Sequence, residues 1–314
     1  MITVRERPTI EIARSAGWCF GVERIVEMAE RLLDETPNGP VYCLGELIHN
    51  PQEVARLRAK GMVFVKSHEE LPPLEPGQRR KVLIRAHGVA PSVKRALQAK
   101  GYEIYDGTCP LVTIPQKFAR ELAEQGYRVV IMGHIEHPEI QGILGHLEGL
   151  NAQVDVITGP EEVEKLKLKA SDRVGLISQT THPYEKFAQL IGRVLENCLE
   201  VRAYNTICQA TFDRQEAIRE LAQRCDVVIV IGGRNSSNTC RLAEIASQYT
   251  TCYHIEDASE LKGEWFWGKK RIGISAGAST PLRAIEAVRA AIEQLTDVEK
   301  TFESASELSQ ETSG

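Results

Sequence analysis

The chain has 314 residues, 42% hydrophobic and 26% charged, with a formal net charge of −5. This is the balance of a globular protein with a sizeable core, and it excludes disordered and fibrous classes. Lys and Arg are dispersed, so the basic footprint of a nucleic-acid partner is missing, and no apolar run reaches the length of a membrane span.

The first residues, Met-Ile-Thr-Val-Arg-Glu-Arg-Pro8, carry charges where a signal peptide needs an apolar core, so a cytoplasmic protein is expected. Eight cysteines without a secretory signal point to reduced thiols with metal or catalytic uses rather than a disulfide framework. In chain order, short β-branched runs lie near residues 9–13, 41–44, 62–65, 82–85, 102–105, 128–132, 154–157, 173–177, 201–204, 227–231, 251–255 and 271–275. Helical patterns such as Val93 to Gly101 and Gln215 to Arg224 separate them, so the spacing predicts parallel α/β units.

Twelve runs divide into three groups of four, and three kinds of strand-end loop recur with matching offsets. The first kind has Gly45, Gly133 and Gly233, followed four residues later by His49, His137 and Ser237. The second is Ala-His-Gly-Val-Ala-Pro91, Ser-Gln-Thr-Thr-His-Pro183 and Ala-Gly-Ala-Ser-Thr-Pro281, with proline in register at the start of a helix, where its missing N–H costs nothing. The third has Tyr105 four residues before Cys109 and Tyr204 four before Cys208, and Ser15 and Cys19 complete it if the first strand joins the last group.

The expected fold is therefore α/β, with three repeated modules, each a small mostly parallel four-stranded sheet with helices. The modules are 20–108, 109–207, and 208–290 joined by 1–19, while 291–314 forms a terminal helix and a loose tail.

In parallel α/β units, ligands sit beyond the carboxyl ends of the strands, at helix N-termini that favour anions. Three modules around a pseudo-threefold axis would bring Cys19, Cys109 and Cys208 to one point. Three thiolates suit zinc with an open fourth site, or a 4Fe-4S cluster with one open iron. Zinc sites usually draw two ligands from one short segment with two to four residues between its cysteines, which none of these three offers, so the cluster is favoured. Cys43, Cys198, Cys225, Cys240 and Cys252 lie in apolar or helical patterns and read as small hydrophobes.

The first two loop kinds contribute His49, His87, His137, Thr180, Ser236, Ser237, Asn238 and Ser279, donors that with helix-start N–H groups would cradle a phosphate or diphosphate. Singly, each is as well explained as an ordinary N-cap or a structural histidine. Glu139, the one carboxylate among these loops, would deliver a proton or else complement a helix dipole.

The segments Gly17-Trp-Cys-Phe-Gly-Val22, Ile48-His-Asn50, Ala86-His-Gly-Val89, Thr108-Cys-Pro-Leu-Val-Thr113, His137-Pro-Glu139, Gln179-Thr-Thr181, Ile207-Cys-Gln-Ala-Thr211, Asp213-Arg-Gln-Glu-Ala217, Asn235-Ser-Ser-Asn238 and Ala276-Gly-Ala-Ser279 resemble the 4-hydroxy-3-methylbut-2-enyl diphosphate reductase (IspH/LytB) family over nearly the whole chain. The resemblance implies a trefoil of three α/β domains around a central 4Fe-4S cluster held by Cys19, Cys109 and Cys208. It implies that His49, His87, His137, Ser236, Ser237, Asn238 and Ser279 hold the substrate diphosphate, with Glu139 as proton relay and Thr180 beside the substrate hydroxyl. The implied reaction is a reductive dehydroxylation giving isopentenyl and dimethylallyl diphosphates, fed with electrons by ferredoxin or flavodoxin.

Two stretches depart from the pattern. Phe20 stands where a small residue is expected, and Ile114-Pro-Gln116 replaces a more polar stretch. A hydro-lyase with an open-iron cluster and a non-enzymatic redox sensor are the other classes the sequence admits.

Overall fold

The computed structural model describes residues 7–311, with side chains over 7–297. In chain order its regular elements are β1 (Thr9–Ile12), α1 (Phe20–Asp34), β2 (Val41–Leu44), α2 (Pro51–Ala59), β3 (Met62–Val65), β4 (Lys81–Ile84), α3 (Pro91–Ala99), β5 (Glu103–Asp106) and α4 (Pro110–Glu124). There follow β6 (Arg128–Met132), α5 (Pro138–Gly145), β7 (Val154–Ile157), β8 (Arg173–Ser178), α6 (Tyr184–Leu195), β9 (Glu200–Ala203) and α7 (Gln209–Ala222). The last are β10 (Val227–Ile231), α8 (Ser237–Ser247), β11 (Thr251–Ile255), β12 (Arg271–Ala276) and α9 (Leu282–Glu311).

All twelve runs expected from the sequence are strands, with ends displaced by at most one residue. They form three four-stranded sheets, ordered β3-β2-β4-β5, β7-β6-β8-β9 and β1-β12-β10-β11, and every pairing is parallel. Read from the other edge, the third sheet is β11-β10-β12-β1, the same order as its two counterparts, with the first strand of the chain filling the place of β5 and β9. The inner strands β2, β6 and β10 are almost wholly buried apolar runs, as expected of parallel strands covered on both faces by helices.

By internal contacts the chain forms two compact units. One spans residues 20–212 and carries the first two sheets; the other combines residues up to 19 with those from 213 on and carries the third.

Among the described residues there are nine α-helices, and three follow each kind of loop: α2, α5 and α8; α3, α6 and α9; α1, α4 and α7. Pro51, Pro91, Pro110 and Pro138 occupy first helical positions, where a fixed φ assists the helix start. The terminal helix expected within 291–314 starts earlier, at Leu282, and continues to Glu311; the loose tail expected after it falls on residues 312–314, outside the described ones. No helix among the described residues is long and apolar enough to cross a membrane.

Candidate active site

In the unit of residues 20–212, His49 directly precedes Asn50, whose side chain caps α2 by accepting the Glu53 N–H at 3.0 Å. His87 lies in the loop after β4, and His137 caps α5, its Nδ1 accepting the Glu139 N–H at 3.2 Å. Three loops thus bring three imidazoles together, with ring centroids 4.6 Å (His49–His87), 5.5 Å (His49–His137) and 5.4 Å (His87–His137) apart.

Burial is the main cause that pushes His49 down to about 4, His137 to about 3 and His87 well below the usual histidine range, so near neutral pH the rings carry no charge. A neutral imidazole has one donor and one acceptor nitrogen; with Nδ1 of His137 accepting, its Nε2 holds the proton and is the free donor. One nitrogen from each ring lies within 4.8 Å of the others, a spacing that would also suit a transition-metal ion. The positive charge of Arg85 acts on all three rings, however, and favours an anion over a cation.

Glu139, in the first turn of α5, is 1% exposed. Its Oε1 accepts the Thr180 N–H and its Oε2 the Thr180 hydroxyl, both at 2.7 Å. Burial lifts the carboxyl to about 7, against the opposing pull of those two bonds. Beside this pair, the Gln179 side chain accepts the His134 N–H at 3.3 Å and donates to the Thr181 hydroxyl at 2.9 Å. These bonds tie the loop after β6 to the loop after β8, so the carboxyl has a fixed position. A buried acid near neutrality, held next to a cluster of neutral donors, is equipped to give up a proton to a bound anion's leaving group.

Cys109 caps α4 and its N–H donates to the Ala86 carbonyl at 2.9 Å. Cys208 stands one residue before α7, its N–H donating to the Thr180 carbonyl at 3.0 Å and its Sγ lying 3.0 Å from the Thr211 hydroxyl. In the other unit Cys19 precedes α1 and donates its N–H to the Ala278 carbonyl at 3.1 Å, while Arg214 holds the Gly17 carbonyl at 2.6 Å. Each cysteine thus sits at a helix start, and each is bonded to a loop of the second kind. A cysteine sulfur is a donor that an iron–sulfur group uses.

The tyrosine spacing is structural equivalence as well. Ile104 and Ala203 pair with Val82 and Leu176, which pair in turn with Tyr42 and Val130, each two residues before the end of its strand, so Tyr105 and Tyr204 stand in register four residues before their cysteines. In the third sheet that place belongs to Ala13, after Ile12 opposite Ile274, and not to Ser15, so the connection to Cys19 is two residues longer.

In that second unit Ser236 caps α8 through a 3.3 Å bond from the Thr239 N–H, Ser237 opens the helix, and Asn238 is buried with both amide atoms unpartnered. Ser279, in the loop after β12, is buried as well. A Cβ on Gly277 would collide with the Thr239 side chain, so this glycine is what lets the Ser279 loop lie against the first turn of α8.

The remaining cysteines behave as inert thiols where a shift is seen. Burial pushes Cys43 far up and Cys225 and Cys252 to about 11, and it also raises Cys198 and Cys240. Of the departures, Phe20 is exposed at the head of α1, while in α4 Ile114 is exposed and Pro115 and Gln116 are buried. Gln179, His134 and His182 join the site without having been singled out by the sequence; all three lie inside or beside motif segments, which was the available signal.

The sequence model of the family described as LytB protein matches residues 10–293. The chain belongs to the LytB protein family. Among the relatives of this LytB chain, the 4-hydroxy-3-methylbut-2-enyl diphosphate reductase of Nautilia profundicola is 43% identical over 286 residues, which is 91% of this chain and 99% of the relative. The reductase of the same name from Aquifex aeolicus is 44% identical over 290 residues, 92% and 97% of the two chains.

A solved structure of (E)-4-hydroxy-3-methyl-but-2-enyl diphosphate reductase, the terminal enzyme of the non-mevalonate pathway, is 45% identical, with a TM-score of 0.66 and coverage of 91% of the LytB chain and 99% of its own. The E-1-hydroxy-2-methyl-but-2-enyl-4-diphosphate reductase of Plasmodium falciparum, at 22% identity, shares the fold with a TM-score of 0.81, covering 90% of this chain and 86% of its own.

Proposed function

We infer that this LytB chain is a 4-hydroxy-3-methylbut-2-enyl diphosphate reductase, acting at the last step of the non-mevalonate isoprenoid pathway. Two electrons and two protons are consumed, the allylic C–O bond breaks, the oxygen leaves as water, and isopentenyl and dimethylallyl diphosphates form. The observation that carries the reading within the molecule is Glu139, a fully buried acid near neutrality, two residues from a cradle of neutral histidines.

The family is one of iron–sulfur enzymes. We assign Cys19, Cys109 and Cys208, equivalent positions of the threefold repeat, as the three ligands of a 4Fe-4S cluster. When bound, such a cluster supplies the two electrons and an iron without a protein ligand that acts as a Lewis acid. The chain's own groups do the rest. Donors from His49, His87 and His137, with Ser236, Ser237, Asn238 and Ser279, hold the diphosphate and so orient the allyl group. Thr180 positions the substrate hydroxyl, and Glu139 keeps a proton on its carboxyl until the departing oxygen takes it.

The three modules are 20–108, 109–207 and 208–290 with 1–19. The proposed setting is the cytoplasm, with ferredoxin or flavodoxin as electron donor.

The test is iron counting and visible spectroscopy on anaerobically purified protein, with and without the allylic diphosphate, followed by turnover with and without a reductant. Four irons per chain, a spectrum that changes on adding substrate, and strictly reductant-dependent turnover are expected. Zinc in place of iron, or turnover without any reductant, would replace the assignment with a zinc enzyme or a hydro-lyase.

A further inference from the structure

The diphosphate reading leaves an electrostatic gap on its histidine side. A diphosphate carries several negative charges, yet the three imidazoles offer donors without formal charge, since their burial keeps them neutral. Hydrogen bonds from neutral donors are roughly half as strong as charge-assisted ones, and a desolvated polyanion is costly to hold with neutral groups alone.

Arg85 lies between the end of β4 and His87, in a turn closed by the Gly88 N–H donating to the Arg85 carbonyl at 3.0 Å. Its side chain crosses to the neighbouring loop and lies on Gly45, where a Cβ would strike the guanidinium; Gly45 has φ +77° and stands four residues before His49. The guanidinium therefore spans the two loops that carry His49 and His87, and its charge reaches all three histidine rings. The Nε is buried and has no hydrogen-bond partner. The protein carboxylate that acts on it, Glu46, is exposed to solvent and so strongly screened. A largely desolvated guanidinium with an unsatisfied donor normally has an anion to meet, because leaving it unmatched is expensive.

We propose that Arg85 is a further substrate-binding residue, supplying the fixed positive charge that the histidine cradle lacks and pairing with the diphosphate of the bound substrate. This rests on the reductase reading and adds to it the charge-bearing residue on the histidine side. Arginine suits the task, since its planar fork matches phosphate oxygens and it stays protonated when buried.

The experiment uses anaerobic holoenzyme as wild type, Arg85→Gln, Arg85→Lys and Arg85→Met, with inorganic diphosphate as the calorimetric probe and the allylic diphosphate in steady-state assays. Arg85→Gln and Arg85→Met are expected to weaken inorganic diphosphate binding and raise KM by roughly 10- to 100-fold, with kcat within about threefold and iron content unchanged. Arg85→Lys is expected to recover most of the affinity, and raising salt should weaken the wild type more than Arg85→Gln.

Equal affinity in wild type and Arg85→Gln, or no advantage of Lys over Met, would overturn the role of Arg85 and leave the reductase reading intact. If the wild type itself failed to bind inorganic diphosphate, the diphosphate reading and this inference would fall together. Should the neutral variants not fold, the salt dependence of the wild type and the affinity of Arg85→Lys still decide: salt-insensitive binding overturns the role.

Discussion

The two units carry the same sheet and the same three kinds of loop, yet they arm them differently. Residues 20–212 place three imidazoles, a guanidinium and a carboxylic acid in the loops that lead into helices; the unit completed by residues from 213 on places hydroxyls and the buried Asn238 amide there, with the Arg234 guanidinium paired to Glu256 and Glu260. A parallel α/β repeat fixes where side chains can be presented but not which ones, so a triplicated scaffold can assign proton handling and charge to one unit and neutral hydrogen bonding to the other.

Breaking the comparison at its most symmetric feature, the cysteines, should have the largest effect. Cys109→Ser, in the first unit, and Cys19→Ser, in the second, are expected to abolish turnover alike and to lower iron content, read by metal analysis; a fully active, fully loaded variant would remove that cysteine from the ligand set.

Next comes the asymmetric acid. Glu139→Gln is expected to cut turnover by about 10²- to 10⁴-fold with little change in diphosphate affinity. The sign of its pH dependence follows from burial. The carboxyl, raised to about 7, is protonated below that pH, so wild-type turnover should hold on the acid side of 7 and fall tenfold per unit above it, while the residual rate of the Gln variant should lack that limb.

On the neutral unit, Asn238→Ala should weaken inorganic diphosphate binding by roughly 5- to 20-fold without altering the salt dependence, the behaviour of a neutral donor rather than a charge. The smallest effect is the position of the alkaline limb. Thr180→Val should lower turnover by removing the hydroxyl proposed to position the substrate, and because that hydroxyl also stabilises the Glu139 carboxylate, the limb should move to higher pH, by up to about one unit.

Much of this was legible in the residues. Strand positions were, because parallel strands such as Val227–Ile231 are short apolar runs bounded by loop residues, and the second kind of loop was, because its prolines recur at helix starts. In the first kind the register slips: Gly232 rather than Gly233 matches Gly45 and Gly133, and the helix caps are Asn50, His137 and Ser236. The tyrosine spacing was legible too, for Tyr105 and Tyr204 stand in register; its extension to Ser15 misled, since Ala13 holds that place and the loop to Cys19 is two residues longer, which no residue count reveals.

Arg85 was missed for another reason. A strand-end arginine reads as a solvated charge until the fold shows its side chain lying over Gly45, and the one hint was its place two residues from His87. The proximity of His49, His87 and His137 likewise needed the sheet order β3-β2-β4-β5 and the tie between the β6 and β8 loops, which no local pattern states.

The pairing of β1 with β12 also sets a timetable for synthesis. Val41 to Met132 can find its strand neighbours as the chain emerges, but Thr9–Ile12 must wait for Arg271–Ala276, which at about 5–20 residues per second arrives after tens of seconds. Until then Cys19 is attached to an unpaired edge. Loading of a group that uses Cys19 would then be a late, post-elongation event, and a ribosome stalled before residue 271 would release a chain with its other sulfurs in place but its first one unanchored.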